Sequence, residues 1–313
     1  MIIDARDLRK DFVVRTKTGR WRRTRRTVTA VDGVDLRIEP GEMVGYLGPN
    51  GAGKSTTLKM LTGILVPSAG HVRVCGLAPV PDRTRLARRM GAVFGQRSQL
   101  WWDLPLEDSF ALLRAVYRVS AVDHRNRLAE CVELLEMSPF LSTPVRQLSL
   151  GQRMRGELTA ALLHDPELLF LDEPTIGLDV VSKEAVRGFL AELNRRHSTT
   201  LVLTTHDLAD IERLCRRLVV IDHGRVVHDG TLAALHARYG SRRRLVVELD
   251  EPRPALAVPG ASTELVEADG RRQTLALDGP LPAVVAAVAA AAPLRDLRVL
   301  EPAIEDVIRK LWT

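Results

Sequence analysis

Glu42 to Gly63 reads EMVGYLGPNGAGKSTTLKMLTG, and the rest of the chain is interpreted from it. Met43 to Leu47 is an apolar run of strand length. Gly48 to Gly53 is rich in glycine, and from Lys54 onward Leu58 and Leu61 recur at helical spacing. The expected order is strand, tight loop, helix. Within it, Gly48-x-x-x-x-Gly53-Lys54-Ser55 is the phosphate-binding loop pattern. A triphosphate needs many donors close to its oxygens, and glycines let successive backbone N–H groups turn inward with no Cβ in the way. The first turn of the following helix adds unpaired N–H groups at the positive end of its dipole. Lys54 supplies a point charge for the β and γ phosphates, and the Ser55 hydroxyl suits Mg²⁺. The pattern establishes nucleotide binding and is shared by many NTPase families.

Composition frames this loop. With 313 residues, 45% of them hydrophobic, the chain can bury one large core and still supply a second small domain. No apolar run approaches the ~18 residues of a membrane span. The opening residues MIIDARDLRK lack the apolar core of a signal peptide, so a cytosolic protein is expected. Cys75, Cys131 and Cys215 lie far apart without C-x-x-C spacing, which argues against disulfides or a zinc site. The net charge of +6 is local. Arg15, Lys17, Arg20, Arg22, Arg23, Arg25 and Arg26 form a run of seven cations with no acid among them, and without it the remainder carries −1. A nucleic-acid partner is therefore not expected. The run has two readings, contact with anionic lipid headgroups or a solvated loop.

Ile2 to Val14 and Val28 to Ile38 read as strands of a hairpin with the basic run at its tip. Phe12, on the first strand, is either a purine-stacking aromatic or a core residue. His71 to Val74 reads as a short strand, Arg83 to Met90 as a basic helix and Gly91 to Phe94 as a buried strand. From Trp101 to Met137 the pattern is helical, with Leu112, Leu113 and Val116, then Leu128, Val132 and Leu135, at helical spacing. Leu148-Ser149-Leu150-Gly151-Gln152 opens another helix with Ser149 as its cap, a second place where an anion can sit. Glu167 to Leu171 is an apolar strand ending in Asp172-Glu173-Pro174. In such folds, a carboxylate at the carboxyl end of a buried strand beside a phosphate loop is where Mg²⁺ is held, and a second acid can orient the attacking water.

These motifs, followed by Ile176-Gly177-Leu178-Asp179 and Thr205-His206-Asp207, occur in an order that strongly resembles the ATP-binding cassette family, the nucleotide-binding subunits of ABC transporters. The resemblance covers about residues 2–238. It implies an α/β P-loop NTPase cassette, a RecA-like core with an antiparallel β subdomain and an α-helical subdomain at about residues 97–165. It further implies that Gly48, Pro49, Asn50, Gly51, Ala52, Gly53, Lys54, Ser55 and Thr56 wrap the phosphates, with Phe12 stacked on adenine. Ser55, Gln96 and Asp172 would hold Mg²⁺, Glu173 would be the general base, Gln96 would also contact the attacking water, and His206 would sense the γ-phosphate. The signature Ser149, Leu150, Gly151 and Gln152 would complete the site of a second copy in an ATP-sandwich homodimer, with Asp179 in the dimer-facing loop. Leu150 replaces the family's usual glycine and puts a side chain near that interface.

Trp101, Trp102, Asp103 and Leu104 fall where the family faces a membrane permease, and the tryptophans read as an interface anchor or as core of the helical subdomain. The form GQRSQLWW at 95–102 resembles subunits of exporters for drugs or other amphiphiles, whose membrane half is a separate chain. Residues 241–313 alternate strands with an alanine-rich helix and end in a helix at 302–311, resembling a small α+β extension with no catalytic constellation. The expectation is a peripheral ATPase on the cytoplasmic face of the membrane, powering export with ATP and Mg²⁺. The alternatives are a soluble ABC ATPase acting on ribosomes or DNA, which would carry two cassettes in one chain or long inserted coiled coils, and an importer ATPase.

Overall fold

The computed structural model describes residues 1–17, 23–94, 98–205, 207–239 and 243–300. In chain order these form β1 (Ile3–Lys17), β2 (Arg23–Ile38), β3 (Met43–Leu47), α1 (Lys54–Leu61), β4 (Ala69–Val74), α2 (Arg83–Leu86) and β5 (Met90–Phe94). There follow α3 (Leu106–Tyr117), α4 (Ala121–Leu134), α5 (Leu150–Leu162), β6 (Leu168–Asp172), α6 (Val180–His197), β7 (Thr200–Thr204), α7 (Leu208–Leu214), β8 (Arg217–Asp222), β9 (Arg225–Thr231) and α8 (Leu232–Tyr239). The last described elements are β10 (Arg244–Leu249), β11 (Ala261–Val266), β12 (Arg272–Leu277), α9 (Leu281–Ala291) and β13 (Leu294–Leu300). The chain divides into two compact units, Met1–Leu232 and Ala233–Thr313. Among the described residues no helix is long and apolar enough to cross a membrane.

The first unit is built on a six-stranded sheet in the order β5-β6-β7-β3-β8-β9, parallel except for β9. Its inner strands read as near-continuous apolar runs because both faces are covered; Leu168, Leu169, Phe170 and Leu171 are all fully buried. A second, antiparallel sheet runs β2-β1-β4. Helix α1 contributes Leu58, Met60 and Leu61 to the core shared by the two sheets. The hairpin expected at the N-terminus is present, with Phe12 paired opposite Val28. Of the basic run, residues 18–22 lie outside the described part; Arg25 and Arg26 are exposed.

Two local expectations change. The basic helix is a single turn, α2, because Met90 already belongs to β5, where it pairs with Leu168. On α3 the buried face is Leu106, Ser109, Phe110 and Leu113, while Leu112 and Val116 are exposed. Both stripes have helical spacing. The phase is set by α5, whose Gly156 leaves room for Leu106, a Cβ there falling 2.7 Å from its Cδ2.

In the second unit an antiparallel sheet β11-β12-β10-β13 buries Leu245, Val247, Leu249 and Leu275 with Val284 and Val288 of α9. The buried Gln273 amide donates to the carbonyls of Arg253 and Pro254, both at 3.0 Å, and accepts from the Leu256 N–H at 2.9 Å, pinning the loop after β10 to β12. The helix expected at 302–311 lies outside the described residues.

Candidate functional site

Strand order places the site. Because β6, β7 and β3 are neighbours, the carboxyl ends of three strands bring Asp172, Thr204 and the loop from Gly48 onto one edge of the sheet, with Asp172 paired opposite Thr204. Ligands of open parallel sheets bind at this edge. The loop is packed from behind: a Cβ on Gly48 would fall 2.3 Å from the Ile221 carbonyl oxygen, and one on Gly53 2.4 Å from that of Ala30. Gly53 also has φ 106, which side chains other than hydrogen rarely adopt. Glycine is required here by the protein's own backbone, beyond any requirement of a bound phosphate. The Ala52 carbonyl accepts from Gly224 N–H at 2.9 Å, tying the loop to the β8–β9 turn.

Lys54 opens α1 and is nearly buried, its ammonium donating to the carbonyls of Gly48 at 2.5 Å and Pro49 at 3.0 Å. Burial pushes its pKa down, and the carboxylates of Glu173 and Asp172 push it back up. The Ser55 hydroxyl donates to Asp172 Oδ2 at 3.3 Å, and Thr204 Oγ1 donates to Asp172 Oδ1 at 2.5 Å. Glu173 N–H donates to the Thr204 carbonyl at 2.9 Å. Glu173 has φ 56, left-handed backbone that a non-glycine residue adopts rarely. Such strain costs on the order of 1–3 kcal/mol and persists only where the surroundings over-determine it. Gln96 and His206 lie outside the described residues.

Ser149 caps α5 in a capping box. Its hydroxyl accepts from Gln152 N–H at 3.2 Å, while Gln152 Oε1 accepts from Ser149 N–H at 2.9 Å. The helix tip rests on the start of α6, where Asp179 accepts from Ser182 N–H at 2.8 Å and from its hydroxyl at 2.7 Å. A Cβ on Gly151 would fall 2.5 Å from that hydroxyl oxygen. Gly151 is thus explained by packing within its own chain. The Ser182 N–H holds the Asp179 carboxyl below the usual carboxylate range. Leu150 is half-exposed and leans towards Gly177, whose added Cβ would lie 2.9 Å from Leu150 Cδ2.

Phe12 is exposed, with the Lys10 ammonium 5.3 Å from its ring centroid, so the core reading of this residue does not hold. Trp101 and Trp102 are exposed as well, and the core reading falls for them too. Trp102 lies under the Arg153 guanidinium at 5.8 Å, in a cavity of about 540 Å³ that also takes in Leu150, Glu157 and Ile176. Glu157 anchors the segment that leads from this cavity: its carboxylate accepts from the Ser98 hydroxyl and, at 3.0 Å, from Gln99 N–H. Burial raises its pKa and those two donors lower it.

Several site residues escape the motif reading. Thr204 holds both acids, and Asp210, fully buried on α7, joins Thr175, Thr205 and Arg187. The available hints were Thr204-Thr205 at the end of an apolar strand and Asp207 and Asp210 at a spacing of one helical turn. Neither names a partner.

The sequence profile of the family described as "ABC transporter" matches residues 31–176. The chain is 40% identical over 209 residues to the "Nod factor export ATP-binding protein I" of Paraburkholderia xenovorans (strain LB400), covering 67% of this chain and 68% of that one. It is 31% identical over 217 residues to the "ABC transporter ATP-binding protein NatA" of Bacillus subtilis (strain 168), covering 69% of this chain and 88% of that one. Among solved structures, a dimeric ATP-binding cassette in a post-hydrolysis state bound to ADP and Pi superposes with a TM-score of 0.62 at 28% identity, covering 74% of this chain and 98% of that one. A glycine loop backed by strand carbonyls, two acids at the end of the buried strand β6, separated from β3 by β7 alone, and relatives of this kind leave one assignment: the chain belongs to the ABC transporter family, as an ATP-binding subunit that hydrolyses ATP.

Proposed function

We propose that two copies of this chain clasp ATP between them and that hydrolysis drives a separate membrane permease exporting a small drug-like or amphiphilic molecule. The observation that carries this reading is the meeting of Ser55 with Asp172, 117 residues away, beside the strained Glu173. In it, Gly48 to Thr56 wrap the phosphates, Lys54 neutralises the β and γ oxygens and Phe12 stacks on the adenine. Ser55 and Asp172 present convergent hydroxyl and carboxylate oxygens, the hard donors Mg²⁺ takes; with Gln96 they would hold the ion. When bound there, the ion would supply positive charge that offsets the charge of the phosphates. Glu173 takes the proton of the attacking water, and His206 senses the γ-phosphate.

The signature residues Ser149, Leu150, Gly151 and Gln152 complete the partner copy's site in this reading, and Asp179 sits in the loop facing that copy. The dimeric form of the similar cassette supports it. The permease docks on the exposed Trp101 and Trp102 with Asp103 and Leu104, and the run Arg15 to Arg26 touches anionic lipid, which places the protein on the cytoplasmic face of the membrane. Residues 1–238 act as the cassette and 241–313 as an accessory domain that stabilises the dimer or modulates transport. Similarity to a protein named for Nod factor export favours export. The test is Glu173→Gln, expected to bind ATP, accumulate as an ATP-bound dimer and lose nearly all turnover. Wild-type turnover would place the base elsewhere.

A further inference from the structure

Beneath the acid pair lies a charged cluster that touches neither the phosphate loop nor the signature. Asp210 is fully buried. Its Oδ2 accepts from the Thr175 hydroxyl at 2.5 Å and from the Thr205 hydroxyl at 2.9 Å, and its Oδ1 accepts from Arg187 Nε at 2.6 Å. Arg187 also reaches Asp207, whose N–H donates to Thr205 Oγ1 at 2.9 Å. A buried charge needs a partner of opposite sign and hydrogen bonds to its remaining lone pairs; Arg187 and the two threonines supply them.

The connections close a ring. From Glu173 the chain runs through Pro174 to Thr175, crosses by the hydroxyl to Asp210, crosses again to Thr205, steps back to Thr204 and returns through the Thr204 carbonyl to Glu173 N–H. Glu173 is the ring member with φ 56. A strained backbone persists when its neighbours on both sides are held, and Asp210 is the group that holds both sides at once. Buried ion pairs are often replaceable by apolar groups without loss of stability, so what this cluster contributes is geometry.

We propose that Asp210, neutralised by Arg187, is a positioning residue that keeps Glu173 in its left-handed conformation and so sets where its carboxylate points. The inference rests on the reading of Glu173 as the base. An asparagine cannot replace Asp210, because each carboxylate oxygen serves as an acceptor, whereas an amide has one acceptor and must turn an N–H towards either Arg187 or the hydroxyls.

The experiment compares the full-length chain with Asp210→Asn, Thr175→Val and Glu173→Gln, measuring ATP affinity, kcat, thermal unfolding and ATP-dependent dimerisation. In Asp210→Asn kcat is expected to fall by about 100-fold, the effect of a misplacement of about 1 Å. ATP affinity stays within about twofold and an ATP-bound dimer accumulates, as in Glu173→Gln. A role limited to structure would instead lower ATP affinity and the unfolding temperature without trapping a dimer, and that result overturns the proposal, as does wild-type kcat. If Asp210→Asn does not fold, Thr175→Val decides: it opens the ring at one hydroxyl, so a reduced kcat at unchanged ATP affinity supports the proposal and wild-type kcat overturns it. Wild-type turnover in Glu173→Gln removes the base assignment and this inference with it. Near-loss of turnover there, beside wild-type turnover in Asp210→Asn, removes this inference alone.

Discussion

Ser149 is assigned two tasks, capping its own helix and meeting the partner's nucleotide, and two substitutions separate them. Ser149→Ala removes the hydroxyl that accepts from Gln152 N–H. Loss of such a cap costs about 1 kcal/mol, and in a unit the size of Met1–Leu232 that lowers the unfolding temperature by about 2–4 °C. Ser149→Asp keeps an acceptor that ranks with serine as a cap and so should unfold at the wild-type temperature. In trans the same carboxylate would face the γ-phosphate. Two unit charges about 4 Å apart at an effective dielectric constant near 20 repel by about 4 kcal/mol, which is about 1000-fold in dimer affinity for each site. The assays are thermal unfolding and size-exclusion chromatography with ATP, the latter in the Glu173→Gln background. Ser149→Ala should melt early and dimerise weakly; Ser149→Asp should melt normally and remain monomeric. If the aspartate variant dimerises as fully as its parent, the helix tip does not meet a partner's phosphate. If it melts as early as the alanine variant, the capping argument is wrong.

Two further outcomes follow from the geometry. A Cβ on Gly91 would fall 2.3 Å from the Ala161 carbonyl oxygen on α5, so Gly91→Ala must push the signature helix off β5; a loss of about 1–3 kcal/mol is expected as a lower urea midpoint, and an unchanged midpoint would show that the helix gives way freely. The Lys183 hydrogen bond at 2.6 Å holds the Asp207 carboxyl below its ordinary range; a depressed carboxylate stabilises the fold above its unfolded value and loses that contribution as pH falls below about 4. Lys183→Met should therefore melt earlier than wild type at neutral pH, and the gap should close on acidification. A gap that stays constant with pH would mean the ion pair is not its source.

Much of the site was legible because its chemistry is written in short stretches. Glycines before a helix, a serine cap and acids closing an apolar strand each express a requirement met within a few residues. The strand at Glu167 to Leu171 was legible for the same reason, since a strand covered on both faces has to be apolar throughout. Side-chain exposure was less so. Phe12, Trp101 and Trp102 each had a core reading beside an outward one, and the tertiary structure leaves all three exposed. The phase of α3 is a similar case, since two overlapping stripes have helical spacing and the helix opposite chooses one.

By itself, then, the order of residues determined the phosphate loop, the capped signature helix, the acid pair and the family they belong to, because local backbone preference and local donor supply suffice for each. Tertiary structure alone decided that Gly48, Gly53 and Gly151 are needed by neighbouring protein atoms, and that Thr175, Thr205, Arg187 and Asp210 form one cluster under Glu173. Those partners are brought together by the order of strands in a sheet, and hydrogen bonds between distant segments leave no periodic mark along the chain.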